Sequence, residues 1–275
     1  MDFVTVAFAN DVATVDFDDS MRKCFKNFDG NRINTNVNGN WKLSRDLFAA
    51  YRKQKIKKNS DYIIPKRIHL IWLGSRLPER CQKVVDSWKK FHPKWDIKVW
   101  TDEDVPHFGM ENKAAFDKSI NWGEKSDIWR YEILYRYGGI YIDTDFECLK
   151  PFDLIHKSTE FYAGICYEEI ALLGNSLIGS VPKHPILARC IQQIQVGPGD
   201  NNANRIQRET GPYHFTRCFM DEAQKYPRKV VVFPTSYFFP LPPGRIDVAN
   251  AEEAKKQYVQ PESFAIHYWA TSWCK

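Results

Sequence analysis

The most constraining feature of this sequence is the stretch 126–145, which combines a helical pattern, a glycine pair and a short apolar run. Ser126 or Asp127 is a suitable N-cap. Apolar residues then recur at the three-to-four spacing of an amphipathic helix, at Ile128, Tyr131, Leu134 and Tyr135. Gly138-Gly139 ends the helix, because glycine readily adopts the left-handed conformation common at helix ends. The β-prone run 140–142 therefore predicts a buried strand directly after the helix.

Two carboxylates, Asp143 and Asp145, follow this strand. They are two residues apart and are therefore expected on the same side. Such a pair suits a divalent ion, since Mg²⁺ or Mn²⁺ prefers oxygen ligands and commonly completes its shell with substrate phosphates. Alternatively, the two acids simply solvate a turn, where Asp is common.

Asp127 and Arg130 lie one helical turn apart, just upstream of the strand. Their position beside the two carboxylates favours a functional role. The alternative is an intrahelical ion pair, in which Asp127 also interacts favourably with the helix dipole. Both interpretations remain open from the sequence.

The whole stretch, Ser-Asp-x-x-Arg-Tyr-x-x-Leu-x-x-x-Gly-Gly-x-Tyr-x-Asp-x-Asp, resembles the signature of the DXD-motif sugar transferases of glycosyltransferase family 32. That family includes capsule and mannan-type transferases, and the catalytic domains of the large clostridial glucosylating toxins are similar to it. The resemblance covers roughly residues 63–273. It implies an α/β type-A glycosyltransferase fold, with a Rossmann-like, mostly parallel central sheet flanked by helices.

Residues 65–74 predict the first strand of this sheet, and the stretches 79–91 and 95–102 predict a helix and a second, parallel strand. Ligands bind at the carboxyl ends of such strands, so Trp72, Leu73 and Gly74 are expected to face a nucleotide. The resemblance places the Trp72 ring against the base. The alternative is a core tryptophan beneath the sheet.

The resemblance also assigns roles to residues of the central stretch. Asp145 is the first candidate for a direct metal ligand, and Asp143 would bridge the metal and the ribose. Tyr141 would support the nucleotide, and Ser126 belongs to the same predicted site. Asp127 and Arg130 would bond sugar hydroxyls or, for Arg130, the phosphate. Further along the chain, Asn175 is a candidate donor contact, with a loop-capping asparagine as the alternative.

Residues 265–273 resemble the closing His-x-Trp-x-x-Ser-Trp of the family. The resemblance implies that His267 is a third metal ligand beside Asp145, and that Ser272 and Trp273 reach the diphosphate. Closure of the segment 269–273 would keep water from the donor. A structural role for His267 is the alternative.

Two other segments carry expectations about local structure. Residues 211–216 resemble a family loop that leads into a helix ending near Lys225. The proline-rich stretch 234–243 is predicted to be non-helical and to lie across the surface as a rim.

The seven cysteines are scattered and contain no C-x-x-C pair, so the sequence predicts neither a disulfide framework nor a zinc site, and it favours a reducing compartment. The N-terminus has an acid where a signal peptide would carry bases, and no run approaches the roughly 18 apolar residues of a membrane span. These features predict a cytoplasmic protein, with peripheral membrane contact as an option.

The net charge of +5 is modest, and the basic residues form no nucleic-acid motif. One basic run, at 52–58, is either a solvated helix or linker, or a surface attracted to an anionic membrane or glycolipid. Residues 41–58 predict an amphipathic helix within an N-terminal extension, 1–60. This extension is expected to pack on a catalytic domain formed by residues 61–275.

Together these observations predict a metal-dependent glycosyltransferase with Mn²⁺ or Mg²⁺ as cofactor, and the family resemblance implies that it works with retention at the anomeric carbon. A UDP-sugar is the preferred donor and GDP-mannose the second choice, with a glycan, glycolipid or protein hydroxyl as acceptor. The alternatives are a haloacid-dehalogenase-type phosphatase, a nucleotidyltransferase and a non-catalytic nucleotide-sugar-binding protein. The phosphatase would want Thr or Val two places after the second Asp, where this chain has Glu147.

Overall fold

The structure is a computed structural model that describes residues 3–5, 15–23, 39–57, 60–167, 171–197, 200–226, 229–242 and 251–270. The described strands are β1 (Phe3–Thr5), β2 (Lys55–Lys57), β3 (Arg67–Ile71), β4 (Asp96–Trp100), β5 (Gly139–Ile142), β6 (Phe146–Cys148), β7 (Phe161–Tyr167), β8 (Leu172–Ser180), β9 (Val230–Phe233) and β10 (Ala265–His267). The described helices are α1 (Phe17–Lys23), α2 (Gly39–Arg52), α3 (Glu79–Phe91), α4 (Val105–Phe108), α5 (Lys113–Lys118), α6 (Trp122–Tyr137), α7 (Asp153–His156), α8 (Pro185–Gln192), α9 (Ala203–Glu209), α10 (Pro212–Ala223), α11 (Thr235–Phe238) and α12 (Ala251–Tyr258).

The central sheet has six strands in the order β4-β3-β5-β8-β7-β9. The pairs β3/β4, β3/β5 and β7/β9 are parallel, whereas β8 runs antiparallel to both of its neighbours. Five of the six strands therefore share one direction, which confirms the predicted mostly parallel sheet. The unit β3-α3-β4 is the predicted β-α-β unit, and α3 has the predicted bounds.

Strand β8 lies at the centre of the hydrophobic core, and all nine of its residues are buried. Two of its glycines allow aromatic rings to lie directly on the strand. A Cβ added at Gly174 would lie 2.4 Å from the Phe239 ring, and one added at Gly179 would lie 1.9 Å from the Tyr162 ring. Sheet and rings therefore pack at a distance that only glycine permits at these two positions.

Helix α6 begins four residues before the predicted N-cap region. Its N-cap is Asn121, whose side chain accepts a hydrogen bond from the Glu124 amide at 3.1 Å. Ser126 and Asp127 lie inside the helix, so the prediction that one of them caps it was wrong. The predicted end is confirmed, because Gly138 follows the helix with φ 59°.

Helix α2, within residues 1–60, packs on the sheet. Phe48 of α2 contacts Phe233 of β9 with ring centroids 6.0 Å apart, and the Tyr51 hydroxyl bonds the Ser158 hydroxyl at 2.9 Å. Helix α2 ends at Arg52 rather than near residue 58, because residues 55–57 pair with β1 instead. Lys58 lies outside the described residues. The domain division near residue 60 stays a prediction.

Two predictions about local structure were wrong. Residues 212–216 form the start of α10 rather than a loop, since Pro212 occupies the first helical position, which proline favours. The stretch predicted as a surface rim contains the short helix α11, and Tyr237, Phe238 and Phe239 are buried there. The aromatic residues of this stretch cover the sheet and are withdrawn from solvent.

In the described part of the chain, no helix is long and apolar enough to cross a membrane.

Candidate functional site

A cleft of about 1040 Å³ opens at the carboxyl ends of β3 and β5. These two strands are parallel neighbours, so the residues that follow them meet at one edge of the sheet. The cleft is lined by ten of the predicted site residues: Trp72, Leu73, Gly74, Ser126, Arg130, Tyr141, Asp143, Asp145, Asn175 and His267. The structure therefore brings together residues separated by almost two hundred positions in the sequence.

Three potential metal ligands converge in this cleft. The ligand atoms of Asp143, Asp145 and His267 all lie within 4.8 Å of one another. Strand β10 pairs with β6 so that His267 lies opposite Phe146, the neighbour of Asp145. Two carboxylates and one imidazole fit a divalent cation, and the imidazole suits Mn²⁺ better than Mg²⁺.

The charges in this cluster influence one another. His267 Nε2 lies 3.2 Å from Asp145 Oδ1. Burial alone would raise the pKa of Asp145, but the attraction and hydrogen bond of His267 bring it below its ordinary value. Burial likewise opposes the charged form of His267, yet Asp145 raises the pKa of this ring. Burial raises the pKa of Asp143, although Arg130 opposes the shift. These shifts favour the charged forms of Asp145 and His267, whereas they disfavour the charged form of Asp143.

The His267 ring is held by aromatic packing. It stacks on Phe146 with centroids 4.6 Å apart and an interplanar angle of 17°, and it contacts Trp269 at 4.5 Å. Its buried Nδ1 has no hydrogen-bond partner among the described residues. The packing thus holds the ring with Nε2, rather than Nδ1, toward Asp145.

Asp145 is fixed by the segment that follows β10. The Ala270 amide donates to Asp145 Oδ2 at 2.8 Å, and the Tyr268 amide donates to the Asp145 carbonyl at 3.1 Å. Trp269, between them, has a positive φ of 54° and donates from Nε1 to the Leu241 carbonyl at 3.0 Å. Ser272 and Trp273, predicted to reach the diphosphate, lie outside the described residues.

Arg130 is the buried cation of the cleft. Its Nη1 donates to the Asn175 carbonyl at 2.9 Å and lies 3.5 Å from Asp143 Oδ1, and its guanidinium lies 4.5 Å from the Tyr141 ring centroid. The Tyr141 hydroxyl donates to Asp143 Oδ1 at 2.7 Å. Arg130 and Tyr141 therefore both orient the first carboxylate of the pair.

Asp127 is only 8% exposed and, unlike Arg130, does not line the cleft. Arg130 Nη2 lies 2.9 Å from Asp127 Oδ1, which is the intrahelical ion pair left open by the sequence. The same carboxylate accepts from Asn175 Nδ2 at 2.8 Å and from the Thr210 hydroxyl at 3.2 Å. Burial raises the pKa of Asp127 to about 6 despite the nearby Arg130. Its contact with a sugar stays a prediction.

Asn175 lies within β8, so the alternative that it caps a loop was wrong. The carbonyl of its neighbour Ser176 accepts a hydrogen bond from the Asp143 amide at 2.8 Å. This bond ties β8 to the turn 143–145, which we call the acidic turn. Asn175 therefore belongs to the wall of the cleft. Its contact with the donor stays a prediction.

Trp72 is half-buried and lines the cleft, so it is not a core residue beneath the sheet. Its Nε1 donates to the Ser75 hydroxyl at 3.1 Å. Gly74 has φ 81°, and a Cβ added there would lie 2.5 Å from the Trp122 ring. This close approach of Trp122, which is 49% exposed, was not foreseen.

Two further contacts of the site were missed by the sequence reasoning. Thr210 bonds Asp127 through its hydroxyl and accepts a hydrogen bond from the Tyr131 hydroxyl on its carbonyl at 2.7 Å. Thr210 directly precedes the Gly-Pro pair of the family pattern, and this position was the only available signal. For Trp122, an aromatic residue just upstream of the signature, the sequence offered no comparable signal.

The fold and the acidic cluster of the cleft are similar to what is expected of a DXD-type glycosyltransferase domain. Residues 78–162 match the model of the family described as "Glycosyltransferase sugar-binding region containing DXD motif", so this chain contains that region and the resemblance predicted from the sequence is confirmed. The solved structure titled "PaToxG Glycosyltransferase" superimposes with a TM-score of 0.50 at 16% identity, covering 84% of this chain and 96% of that chain. This likeness confirms the predicted type-A glycosyltransferase fold.

Two curated relatives show the range of similar proteins. The chain is 36% identical to "Inositol phosphoceramide mannosyltransferase 1" of Schizosaccharomyces pombe over 48% of this chain and 43% of the relative. It is 32% identical to "Alpha-1,4-N-acetylglucosaminyltransferase" of Homo sapiens over 61% of this chain and 48% of the relative. The matches thus span less than half the length of either relative, and the two names differ in the sugar.

Proposed function

We propose that this protein transfers a hexose from a nucleotide diphosphate sugar to an acceptor hydroxyl, with a divalent cation bound by Asp143, Asp145 and His267. The observation that carries the proposal is the convergence of these three ligands in a cleft at the carboxyl ends of β3 and β5. Trp72 lines the same cleft and offers a ring for a nucleotide base.

The proposed chemistry assigns different tasks to the cation and to the protein groups. A divalent cation acts as a Lewis acid on the departing diphosphate and can contribute several kcal/mol of charge stabilisation. Arg130 and Tyr141 hold Asp143 in place, and Arg130 adds positive charge toward the phosphate. We propose that Asp127 acts by positioning Arg130 and Asn175, because it contacts both and lies behind the cleft surface.

Exclusion of water completes the proposed mechanism. Trp269 packs against His267 and Tyr167 and lines the cleft beside the acidic cluster. A wall of this kind protects an activated donor from hydrolysis. Retention at the anomeric carbon, and thus an α-linked product from an α-linked donor, is the stereochemistry that the family resemblance supports.

The donor and acceptor are proposed at the level of class. UDP-sugars are the preferred donors, and GDP-mannose is the alternative that the mannosyltransferase name of the yeast relative favours. The same name favours a glycolipid among the glycan, glycolipid and protein acceptors. Peripheral membrane contact through the basic run 52–58 is part of that hypothesis.

A thermal-shift panel of UDP- and GDP-sugars, each with and without Mn²⁺, tests the donor site. A ligand that binds only the folded state raises the melting temperature according to its concentration and affinity. We expect a shift for one nucleotide sugar that is much larger with Mn²⁺, and no such shift for the free hexose. If none of the nucleotide sugars changes the melting temperature, the proposal is wrong.

The reaction products distinguish the alternative activities. Glycosyl transfer or donor hydrolysis releases a nucleoside diphosphate together with a glycoside or free hexose. A phosphatase would release inorganic phosphate, and a nucleotidyltransferase would form or consume pyrophosphate. A binding protein would show the Mn²⁺-dependent thermal shift with no product.

A further inference from the structure

A second cluster of residues of metal-ligating types lies outside the lining of the cleft. It comprises Cys190 on α8 together with His214 and Cys218 on α10, and their ligand atoms all lie within 4.8 Å of one another. The three side chains are buried. His214 and Cys218 are four residues apart on one helix and therefore share a face. The cysteine spacing in the sequence gave no sign of this cluster, because α8 and α10 meet only in the folded chain.

The side chains of this cluster lie close together, but they are farther apart than the ligands of a bound metal ion. Cys218 Sγ lies 3.8 Å from His214 Nε2 and 3.5 Å from Gln193 Oε1. His214 Nε2 lies 3.0 Å from the Cys190 carbonyl. Hydrogen bonding from Cys190 lowers the pKa of the Cys218 thiol. Two sulfurs and one imidazole nitrogen thus lie within 4.8 Å of one another, and the Gln193 amide oxygen lies beside the Cys218 sulfur.

We propose that Cys190, His214 and Cys218 bind a structural Zn²⁺ ion, with Gln193 Oε1 supplying the fourth ligand. Zn²⁺ is bound in tetrahedral sites by thiolate sulfur at about 2.3 Å and imidazole nitrogen at about 2.0 Å. The present separations require a contraction of the cluster by roughly 1 Å around the ion.

Charge balance supports this choice of ion. When Zn²⁺ binds, the two thiols release two protons, and two thiolates then neutralise the two positive charges of the ion. A neutral complex can lie in a dry interior without the large desolvation cost of an uncompensated charge. The soft sulfur ligands also favour Zn²⁺ over Mg²⁺ or Mn²⁺, the ions proposed for the oxygen-rich cleft.

Binding requires two rearrangements at His214: Nε2–H must give up its hydrogen bond to the Cys190 carbonyl, and Arg217 must leave Nδ1. Arg217 Nη2 lies 3.1 Å from His214 Nδ1, and because a guanidinium only donates hydrogen bonds, Nδ1 acts as the acceptor. Coordination through Nε2 places the ring proton on Nδ1, so the exposed Arg217 must turn toward solvent. We therefore expect Arg217→Gln, whose amide oxygen can accept from Nδ1–H, to bind Zn²⁺ more tightly than the wild type.

The ion would clamp α8 to α10 behind the cleft. Helix α10 begins at Pro212, directly after Thr210 and Gly211. Thr210 bonds Asp127, and a Cβ added at Gly211 would lie 3.3 Å from the Asp127 carboxylate. The clamp would therefore stabilise the helix whose start positions Asp127.

Metal analysis of the full-length protein tests this proposal. The protein is expressed with added zinc, purified without chelators, and its zinc content is measured. We expect about one equivalent in the wild type, in Asp145→Asn and in the control Cys81→Ser, whose cysteine is buried on α3 outside the cluster. Cys218→Ser should lose at least about tenfold in zinc affinity. Wild-type zinc content in Cys218→Ser would refute the proposal.

Cobalt substitution keeps the test independent of whether the cysteine variants fold. Co²⁺ bound by thiolates gives an intense sulfur-to-cobalt charge-transfer absorption, whereas a site made of Asp143, Asp145 and His267 contains no sulfur. We expect this absorption on adding Co²⁺ to the metal-free wild type, and its loss on adding Zn²⁺. A wild type that shows neither bound zinc nor the sulfur-to-cobalt band would overturn the proposal.

Discussion

At the scale of single residues, Asp145 is a carboxylate of the cleft that the protein holds from two sides. Its side chain accepts from the Ala270 amide and pairs with His267, so its oxygens are directed before any ligand arrives. An asparagine has nearly the same shape and retains an oxygen for the amide, but it lacks the charge needed to bind a cation.

We therefore expect Asp145→Asn to fold normally and to lose metal-dependent transfer or donor hydrolysis by at least about 100-fold. Turnover with a nucleotide sugar and Mn²⁺ is measured beside the melting temperature. The matched control is Asp117→Asn, which removes a carboxylate from an exposed ion pair with Lys113. Equal turnover in the two variants would exclude a metal role for Asp145.

Trp72 gives a second prediction at this scale. Because its ring is half-buried and lines the cleft, Trp72→Ala should weaken nucleotide binding about tenfold, as loss of a stacked base does, with little change in melting temperature. Titration of UDP or GDP by calorimetry provides the measurement. The contrasting control is Trp88→Ala in the core, where about 3–5 kcal/mol of stability should be lost. A comparable loss in Trp72→Ala would instead indicate a structural tryptophan.

The sequence predicted the identity of the cleft residues better than their exact contacts. Asp143, Asp145 and His267 were expected together and lie together. Asp127 was expected in the site and lies just behind the cleft surface, because its burial depends on Thr210 and β8, which are distant in sequence; its contact with a sugar stays a prediction. A residue type can be read from a motif, whereas its solvent exposure is decided by tertiary packing.

At the scale of elements, the turn between α6 and β5 depends on two left-handed glycines. Gly139 has φ 103°, and a Cβ added there would lie 2.5 Å from the Arg67 carbonyl oxygen. Gly109, after α4, also has a positive φ of 67°, but a Cβ there would meet nothing within 4 Å. Alanine at Gly109 would therefore cost backbone strain alone, whereas alanine at Gly139 would cost backbone strain and steric overlap.

We expect Gly109→Ala to cost about 1 kcal/mol, the strain of a left-handed alanine. Gly139→Ala should cost clearly more, about 3 kcal/mol or greater, because backbone atoms must also move. Urea unfolding of both variants measures the difference. Equal losses of unfolding free energy would show that the close contact with Arg67 adds nothing to the cost of the Gly139 substitution.

Elements with a regular apolar pattern were predicted well, and those shaped by their surroundings were not. Helix α3 matched because its buried residues, Cys81, Val85 and Trp88, repeat at helical spacing. The short helix α11 was missed because neighbouring prolines obscure it and its aromatic residues are buried by the sheet. The start of α6 was misplaced because Asn121, Ser126 and Asp127 are all good N-caps in isolation.

At the scale of the whole molecule, buried neutral histidines make stability depend on pH. Burial lowers the pKa of His69 and of His184 to about 4, and that of His156 to about 3. In the unfolded chain these rings take up protons near the ordinary pKa of 6.5, so the unfolded state binds more protons below that pH. Their contribution to stability is therefore present above pH 6.5 and is lost as the pH falls toward 4. Asp127, with its raised pKa, acts in the opposite direction.

His184 allows this contribution to be isolated. It is the N-cap of α8 and accepts from the Ile186 amide, a task that asparagine also performs well. We expect the loss of melting temperature between pH 7 and pH 5 to be smaller in His184→Asn than in the wild type. His107→Gln, at an exposed position, should reproduce the wild-type slope. Identical slopes in all three proteins would contradict this assignment.

The bond between the Ala270 amide and Asp145 joins positions 125 residues apart. During translation the acidic turn therefore leaves the ribosome long before the strand that supplies His267. A nascent chain halted between them lacks one of the three side chains of the proposed cation site. The proposed cation site would then be complete only after the segment 265–270 has docked on the acidic turn.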